Sequence, residues 1–326
     1  MRAVVLESYG GPEVLVVREA ADPVPGPDEV LVDVVATAVN RADLLQRMGL
    51  YPGPAAAVEI PGLDYAGRVA ATGDRVARWS VGDEVMGIVG GGAYAEYLVA
   101  HEREVLPVPR GLALADAAAI PEVFLTAWDA LVLQGGLTSG RVALVHAGAS
   151  GVGTAAIQVA VALQARVLVT CSAGKAAACE SLGAERAIDY RGGDFVDEVE
   201  EATAGAGVDV VLDVVGGDYL ARNVEALRGG GTIVQVGVMA GLSASFPLGA
   251  LLPKRATLVG TVLRSRPVEE KIALTQRFER EVLPLFERGV CRPVIDSRFP
   301  LDAAAEAHRR VESNATVGKV LLDVPG

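Results

Sequence analysis

The sequence predicts an α/β protein of two domains, in which a β-rich domain adjoins a doubly wound parallel sheet. Residues 1 to about 110 alternate short β-rich runs with turn signals such as YGGPE and DPVPGPD. From about 112 to 264, helical stretches alternate with continuously apolar strands, the pattern of strands buried on both faces of a parallel sheet. The length of 326 residues, 51% of them hydrophobic, exceeds a typical single domain and allows two cores.

The first domain contains a series of short predicted strands and one short helix. The helix is NRADLLQRMG, for which Asn40 offers an N-cap and Gly49 a C-terminal stop. The predicted strands are VVLES, VLVVRE, EVLVDVVATAV, DYAGRVAAT, DEVMGIV and YAEYLVA.

Further strands separated by helical stretches make up the second part of the chain. Residues 267 to 290 then predict one long helix, and FPLDAAAEAHRRVESN predicts another. After them, GKVLLDV predicts a final strand that could return to the first domain. The strands of the second part are RVALVHAG, ARVLVTC, ERAIDY, VDVVLDVVGG, GTIVQVGVMAG and ATLVGTVL.

The charge balance disfavours a nucleic-acid partner. Lys and Arg total 29 against 41 Asp and Glu, a net charge of -12 with no basic run. The cysteines, Cys171, Cys179 and Cys291, have no CxxC spacing and are odd in number, which favours a reducing, cytoplasmic compartment. The most membrane-like stretch, residues 151 to 171, is interrupted by polar residues, so a helix followed by a buried strand fits better than a membrane span.

A glycine-rich loop lies inside VALVHAGASGVGT, residues 142 to 154. It follows a predicted strand and opens a predicted helix, which is the context of dinucleotide-binding loops. Gly148 is expected to make the tight turn, and the later glycines to let the backbone approach a pyrophosphate at the helix N-terminus. Ser150 replaces a glycine, but its hydroxyl can donate to a phosphate oxygen. The residues expected to bind are Gly148, Ser150, Gly151, Val152 and Gly153.

The second strand of this domain lacks the terminal Asp or Glu that would bind a ribose 2′-hydroxyl of NAD. It ends in VLVTCSAGKAAA, so Cys171 and Ser172 leave room for a 2′-phosphate and Lys175 brings a positive charge. Tyr190, at the end of the third strand, offers a hydroxyl or a ring. NADPH is therefore the predicted cofactor, although Lys175 is also compatible with a solvated helix lysine and Tyr190 with an edge-of-sheet aromatic.

Motifs along essentially the whole chain resemble the zinc-free NADPH:quinone oxidoreductases of the medium-chain dehydrogenase/reductases, the zeta-crystallin-like group. They are GGPEVL, ATAVNRADLLQR, PGLDYAG, AAAIPEVFLTAWDAL, HAGASGVGTAAIQ, DVVLDVVGG and VGKVLL. The resemblance implies a GroES-like catalytic domain over residues 1–122 and 265–326 and a Rossmann domain over 123–264. It also implies a homodimer that joins Rossmann sheets edge to edge.

Zinc-dependent members of the same superfamily hold their catalytic metal with a Cys, a His and a second Cys. At the matching positions this chain has Asn40, Leu63 and Glu122, and residues 80 to 105 lack a four-cysteine structural zinc lobe. No metal is therefore predicted. Structural roles are expected for all histidines, which are His101, His146 and His308.

The resemblance also implies where the acceptor binds. Asn40, Asp43, Gln46 and Tyr51 are expected to line the acceptor end, with Thr126 near the nicotinamide. From the residues alone, Asn40 reads as a helix cap, and Asp43 and Gln46 as a solvated first turn. Tyr51 offers a hydrogen-bond donor or, as the alternative, a mobile aromatic lid.

Ligands of parallel α/β sheets bind at the carboxyl ends of the strands, so the later strand ends are expected to complete the cofactor site. Arg264 is equally compatible with an exposed arginine at a domain junction, and Asn314 is placed near the 2′-phosphate by the resemblance. The residues expected here are Val215, Gly216, Val236, Gly237, Val238, Leu263, Arg264 and Asn314.

The predicted function is hydride transfer from NADPH to a quinone or a similarly activated, conjugated carbonyl. Such acceptors need no strong Lewis acid, so the protein has to orient the cofactor and stabilise the developing oxyanion. Two alternatives stay open: reduction of the double bond of an enoyl thioester or ketone, and a dinucleotide-binding protein with a structural or regulatory role.

Overall fold

The computed structural model describes residues 1–51, 53–54 and 58–325, and it divides into two compact units. The first unit combines Met1–Leu125 with Arg264–Gly326, and the second is Thr126–Leu263. The expected domain division lay after residues 122 and 264. Each unit has its own sheet and its own buried apolar cluster.

Apart from two strands, Val105–Pro107 and Ile295–Pro300, the strands overlap runs that the sequence predicted. The strands are β1 (Arg2–Leu6), β2 (Leu15–Glu19), β3 (Glu29–Val39), β4 (Asp64–Thr72), β5 (Glu84–Ile88), β6 (Tyr97–His101), β7 (Val105–Pro107), β8 (Val142–Val145), β9 (Arg166–Cys171), β10 (Arg186–Asp189), β11 (Val208–Asp213), β12 (Leu227–Gln235), β13 (Thr257–Gly260), β14 (Ile295–Pro300) and β15 (Lys319–Asp323). The helices are α1 (Arg41–Arg47), α2 (Leu114–Ala117), α3 (Pro121–Trp128), α4 (Gly151–Ala162), α5 (Ala176–Ser181), α6 (Phe195–Ala202), α7 (Tyr219–Ala226), α8 (Leu251–Lys254), α9 (Val268–Glu281), α10 (Leu283–Glu287) and α11 (Ala304–Glu312).

The first unit is built on a sheet with the strand path β14-β15-β3-β4-β5-β7, with β6 also paired to β3. Strand β15 pairs antiparallel with β3, setting Leu322 opposite Thr37, so the end of the chain does return to the first domain as the sequence suggested. Strand β14, which the sequence analysis did not predict, pairs parallel with β15. Along β3 the side chains alternate between buried and half-buried, as expected for a strand with one face on the core.

The second unit is a parallel sheet with the strand order β10-β9-β8-β11-β12-β13. The order changes direction between β8 and β11, and in open α/β sheets ligands bind at the carboxyl ends of strands beside such a switch point. Every residue of β8 and β11 is buried, which confirms the prediction of strands covered on both faces. This is the doubly wound architecture that the sequence predicted.

The prediction of one long helix over residues 267 to 290 is wrong. Helix α9 ends at Glu281, and a new helix, α10, starts at Leu283 after Val282. Pro284 explains the break, because it has no amide hydrogen to continue the ladder and its ring clashes with the preceding turn. Among the described residues, no helix has both the length and the apolar character required to span a membrane.

Candidate active site

The glycine loop connects β8 to α4 and leaves two amides available at the helix N-terminus. Ser150 is the N-cap: its Oγ accepts from the Gly153 amide at 3.0 Å and its carbonyl accepts from the Thr154 amide at 2.8 Å. The amides of Gly151 and Val152 precede the first intrahelical bonds, so they have no acceptor within the helix. These donors and the helix dipole suit the phosphates of a dinucleotide.

Gly148 and Gly153 are required for close packing rather than for unusual dihedral angles. A Cβ on Gly148 would lie 2.5 Å from the side chain of Val169, and a Cβ on Gly153 would lie 2.3 Å from the Ala147 carbonyl oxygen. The left-handed residue of the turn is Ala147, with φ of 55°. Gly148 lies inside this turn, which the Ser150 amide closes by donating to the Ala147 carbonyl at 2.9 Å.

The ends of β9 and β10 bring the expected adenosine-side residues onto neighbouring strands. Ser172 precedes a short 3-10 turn that ends at Lys175, and the Tyr190 amide donates to the Cys171 carbonyl at 3.2 Å. The Tyr190 ring is 42% exposed, and the Arg191 guanidinium lies over it, 5.4 Å from the ring centre. Arg191 was not among the residues predicted for the cofactor site. The signal available in the sequence was a basic residue directly after Tyr190.

A buried aspartate, Asp213, organises the next two strand ends. Its Oδ1 accepts from the Val215 amide at 2.6 Å and the Gly216 amide at 2.9 Å, and its carbonyl accepts from the Val236 amide at 2.7 Å. The Gln235 side chain donates to the Gly237 carbonyl at 2.6 Å. The expected residues Val215, Gly216, Val236 and Gly237 are thus held at one edge of the sheet, while Val238 is partly exposed and Leu263 is buried.

His146, beside the glycine loop, is a core residue. Its Nδ1 lies 3.0 Å from the Thr170 hydroxyl and its Nε2 lies 2.7 Å from the Asn223 amide oxygen. Asn223 in turn donates to Asp213 at 2.8 Å. Burial lowers the pKa of His146, so the imidazole is neutral and serves to anchor the Asp213 turn. This position agrees with the structural role expected for it.

In the first unit, helix α1 carries Asp43 and Gln46 of the residues expected at the acceptor end, and Asn40 is its N-cap. The Asn40 amide donates to the Asp43 carboxylate at 2.8 Å, which closes the first turn of α1 in the manner of a capping box. Asp43 and Gln46 are both buried, so the interpretation of these two as a solvated first turn is wrong. Burial raises the pKa of Asp43 to about 6.

The Asn40 side chain belongs to a buried ion pair that the sequence analysis missed. The Lys319 ammonium donates to Asn40 Oδ1 at 2.5 Å and to Asp64 Oδ2 at 2.9 Å. Asn40 Nδ2 donates to the same Asp64 oxygen at 2.9 Å, and Asp64 Oδ1 accepts from the Glu122 amide at 2.7 Å. Lys319 is 4% exposed and Asp64 is fully buried. The signal available in the sequence was a single charged residue inside each of two otherwise apolar motifs, PGLDYAG and VGKVLL.

The ammonium group therefore contacts Asn40, one of the three positions that the resemblance aligns with zinc ligands of related enzymes. Leu63, at the middle of these positions, is buried and carries no ligand atom. In the part of the chain that the structure describes, no cluster of three or more His, Cys, Asp or Glu side chains is arranged to hold a metal ion. The positive charge beside Asn40 and Asp64 is instead supplied by the Lys319 ammonium group.

Arg264 lies with the acceptor-end residues and is not a free surface arginine. Its Nη2 donates to Gln46 Oε1 at 2.8 Å and its Nε donates to the Gly90 carbonyl at 2.6 Å. Its guanidinium carbon lies 4.8 Å from the centre of the Tyr51 ring. Gln46 also donates to Glu59 at 2.9 Å. Gln46, Tyr51 and Arg264 thus form one polar cluster, and burial raises the pKa of Tyr51.

A second buried chain of hydrogen bonds extends from Asp43 to the last helix. The Tyr94 hydroxyl donates to Asp43 Oδ2 at 3.1 Å and lies 3.1 Å from His308 Nε2. Burial lowers the pKa of His308 to about 3, so its ring is neutral. Beside it, the buried Arg47 pairs with Glu312. This network fixes α1 against α11.

Two expected residues lie outside these clusters. Thr126 is buried on α3 and falls in the second unit. Asn314 has a left-handed backbone, with φ of 53°, and its amide oxygen accepts from Arg41 at 2.6 Å in the first unit.

Comparisons with known proteins agree with this architecture. Residues 26–110 match the alcohol dehydrogenase GroES-like domain family, and residues 182–322 match the zinc-binding dehydrogenase family. A quinone oxidoreductase from Lama guanicoe is 33% identical over 99% of this chain and 97% of its own length.

Several solved structures share the whole fold. Escherichia coli quinone oxidoreductase complexed with NADPH has a TM-score of 0.90 at 30% identity, over 99% of this chain and all of that one. An NAD-dependent alcohol dehydrogenase has a TM-score of 0.89 at 34% identity and covers both chains fully. The CurK enoyl reductase has a TM-score of 0.88 at 27% identity, over 99% of each chain.

The GroES-like domain, the doubly wound sheet and the glycine loop define a nicotinamide-dependent oxidoreductase. Within that class, the identity maintained along nearly the full length of a quinone oxidoreductase is decisive. The chain belongs to the quinone oxidoreductase family of the medium-chain dehydrogenase/reductases.

Proposed function

We propose that this protein is a zinc-independent, NADPH-dependent quinone oxidoreductase. The observation that carries the proposal is the Lys319 ammonium bonded to Asn40 and Asp64. It neutralises the buried Asp64 carboxylate and occupies the Asn40 oxygen, so a metal would have to displace it. An enzyme without a metal Lewis acid is suited to acceptors that take up hydride readily, and quinones are such acceptors.

The acceptor end supplies hydrogen-bond donors in place of a metal. Arg264 positions Gln46 and packs on Tyr51, so a quinone oxygen that gains negative charge would meet an amide or a phenol. The reduced nicotinamide supplies the hydride when it is bound. The chain's own contribution is to orient both reactants and to keep the acceptor oxygen hydrogen-bonded.

The preference for NADPH rests on the end of β9. Cys171 and Ser172 stand where an acidic residue would bind the 2′-hydroxyl of NADH. Lys175 follows on the next turn, and Tyr190 with Arg191 follows β10, so the surroundings offer positive charge and a hydroxyl to a 2′-phosphate. An NAD-dependent alcohol dehydrogenase shares the fold, which makes this preference a point for direct measurement.

The deciding experiment is a panel of quinones and enoyl thioesters assayed with the purified protein, using NADPH and NADH separately. The proposal expects quinone turnover with NADPH that persists after dialysis against a chelator, together with less than stoichiometric zinc by elemental analysis. Absence of turnover with every quinone, or activity lost together with stoichiometric zinc, would refute it.

Enoyl reduction is the second candidate function, favoured by the full-length likeness to the CurK enoyl reductase. It would use the same hydride and the same donors, now at the carbonyl oxygen of a conjugated thioester. Preferential turnover of enoyl thioesters in the panel would select it. Cofactor binding without turnover of any acceptor would select a structural or regulatory role.

We also propose that two copies associate through the edge of the second unit's sheet. Strand β13 is the last strand of that sheet, and Leu258 on it is 44% exposed. Leu248 and Leu252, just before β13, are also exposed, so the edge combines open backbone groups with apolar side chains. Pairing with a second copy would cover both.

A further inference from the structure

A chain of hydrogen bonds connects the exposed Tyr9 to the cluster at the acceptor end. The Tyr9 hydroxyl donates to Glu59 Oε2 at 3.0 Å, and the Gln46 side-chain amide donates to Glu59 Oε1 at 2.9 Å. The Gln46 oxygen in turn accepts from Arg264 Nη2 at 2.8 Å. Glu59, which was not among the residues predicted for the site, is thus bonded directly to one of them.

The backbone of Glu59 is attached to the core of the first unit. Its carbonyl accepts from the Leu6 amide at 2.9 Å, which forms an isolated bridge to β1. Leu6 is buried, whereas Glu59 is half-buried. The bridge uses only main-chain atoms, so replacing the Glu59 side chain leaves this attachment in place and removes only the carboxylate.

Opposite charges at its two ends fix the orientation of the Gln46 side-chain amide. Its N–H end faces the Glu59 carboxylate, and its oxygen faces the Arg264 guanidinium. A half-turn of the amide would set donors against the guanidinium and an oxygen against the carboxylate, and both contacts would be repulsive. The two charges also polarise the amide in the same direction, which strengthens both hydrogen bonds.

The loop that follows Tyr51 passes close to this amide. Gln46 is fully buried, and a Cβ placed on Gly53 would lie 2.6 Å from Gln46 Nε2 and 3.0 Å from Arg264 Nη2. The Arg264 guanidinium carbon lies 4.8 Å from the centre of the Tyr51 ring, and its Nη1 lies 3.4 Å from the Tyr51 carbonyl oxygen. The place of the guanidinium therefore affects the place of Tyr51.

We propose that Glu59 is a positioning residue for the reaction at the acceptor end, and that it acts by fixing the Gln46 amide and, through it, the Arg264 guanidinium. The inference rests on the proposed function, because it concerns the same site. Without the carboxylate, a buried N–H of Gln46 loses its acceptor and the partner of Arg264 is no longer held in place. Small displacements of the groups that orient the reactants lower the rate of the chemical step.

The kinetics of Glu59→Ala test this role. Both kcat and kcat/KM for the acceptor are expected to fall by about tenfold, the size of one lost charge-assisted hydrogen bond, while the NADPH Kd is unchanged. Glu59→Gln keeps an oxygen that can accept from Gln46, so it should recover part of this loss. The matched control is Glu7→Ala, which breaks an exposed pair with Arg18 and should leave the kinetics unchanged. Unchanged kinetics in Glu59→Ala, or an equal loss in Glu59→Gln, would overturn the proposal.

A double-mutant cycle with Gln46→Ala separates positioning from a general structural role. If Glu59 acts through Gln46, Glu59→Ala should cause no further loss in a protein that already carries Gln46→Ala. Two effects that multiply to about a hundredfold loss would show that the residues act independently and would overturn the proposal. The same cycle measured by urea denaturation tests the contact without turnover, and additive effects there would also count against it.

The two proposals fail in different ways. If the unmodified protein turns over no acceptor, the proposed function is refuted and the role of Glu59 with it. If the unmodified protein reduces quinones but the kinetic cycle is additive, the role of Glu59 is overturned and the proposed function stands.

Discussion

Lys319 forms the buried ion pair on which the proposed function rests. Its ammonium and the Asp64 carboxylate lie 2.9 Å apart in a buried environment, with Asn40 bonded to both. Removing one partner of a buried pair leaves a charge that burial strongly disfavours, so each partner depends on the other.

Lys319→Met should therefore lower the free energy of unfolding by roughly 3–5 kcal/mol, measured by urea denaturation. Adding Asp64→Asn should restore part of this loss, because the amide removes the uncompensated charge. Arg68→Met breaks an exposed pair with Glu84 and should cost less than about 1 kcal/mol. A Lys319→Met variant as stable as the unmodified protein would show that the pair contributes little.

Tyr51 is the residue whose hydroxyl is proposed to meet the acceptor oxygen. Tyr51→Phe should lower kcat and kcat/KM together by about tenfold or more with quinones, because it removes a bond that strengthens in the transition state. NADPH affinity should be unchanged. The matched control is Tyr97→Phe, at a half-buried tyrosine on β6. Unchanged kinetics across several quinones would exclude the Tyr51 hydroxyl from the chemistry.

At the scale of elements, the proposed cofactor preference depends on the end of β9 and the start of α5. Lys175→Ala should raise the NADPH Kd about tenfold, or 1.4 kcal/mol, while leaving the NADH Kd nearly constant. Lys271→Ala is the control, since Lys271 pairs with Glu104 in the other unit. Fluorescence titration measures both constants. Equal affinities of the unmodified protein for NADPH and NADH would contradict the assignment.

The elements also show which features local sequence patterns can reveal. The doubly wound sheet and the glycine loop were predictable because their signals are periodic and contiguous. The break at Val282 was missed because an apolar periodicity continued across Pro284. Strand β14 was missed because its residues are half-buried or exposed, so no alternation marks it.

The ion pair of Lys319 and Asp64 was not predictable in the same way. The two residues are 255 positions apart, and no local pattern connects them. Their contact arises from the pairing of β15 with β3. The same reasoning applies to Arg264, whose place beside Gln46 follows from a separation of 218 positions.

At the scale of the whole molecule, the exposed β13 edge predicts a dimer. Leu258→Lys should convert this dimer to a monomer, because a charge at an edge strand opposes pairing. Analytical ultracentrifugation at micromolar concentration measures the change. Val24→Lys, at an exposed apolar site on the first unit, should leave the association unchanged. A monomeric unmodified protein, or equal association of the Leu258 variant, would refute the proposed edge.

Two buried groups of the first unit give stability an opposed dependence on pH. His308 has its pKa lowered to about 3, so the unfolded chain takes up a proton below about pH 6.5 and stability falls as the pH decreases. Asp43 has its pKa raised to about 6, so the native state takes up the proton first and stability rises as the pH falls towards 4.

Comparison with His308→Gln isolates the histidine, because the Asp43 contribution is present in both proteins. Between pH 7.5 and pH 5, the stability of the unmodified protein relative to this variant should fall by about 2 kcal/mol. Urea denaturation at several pH values measures the difference. A difference independent of pH would show that His308 is not held neutral.

The pairing of β15 with β3 also has a consequence for the order in which the protein folds on the ribosome. The second unit, Thr126–Leu263, is one continuous stretch and can fold as soon as it has been synthesised. The first unit is complete only when residues 319 to 323 emerge, and until then Asp64 has no ammonium partner. The part of the chain that is made first is therefore completed last, and for most of synthesis it exposes a sheet edge that chaperones would have to protect.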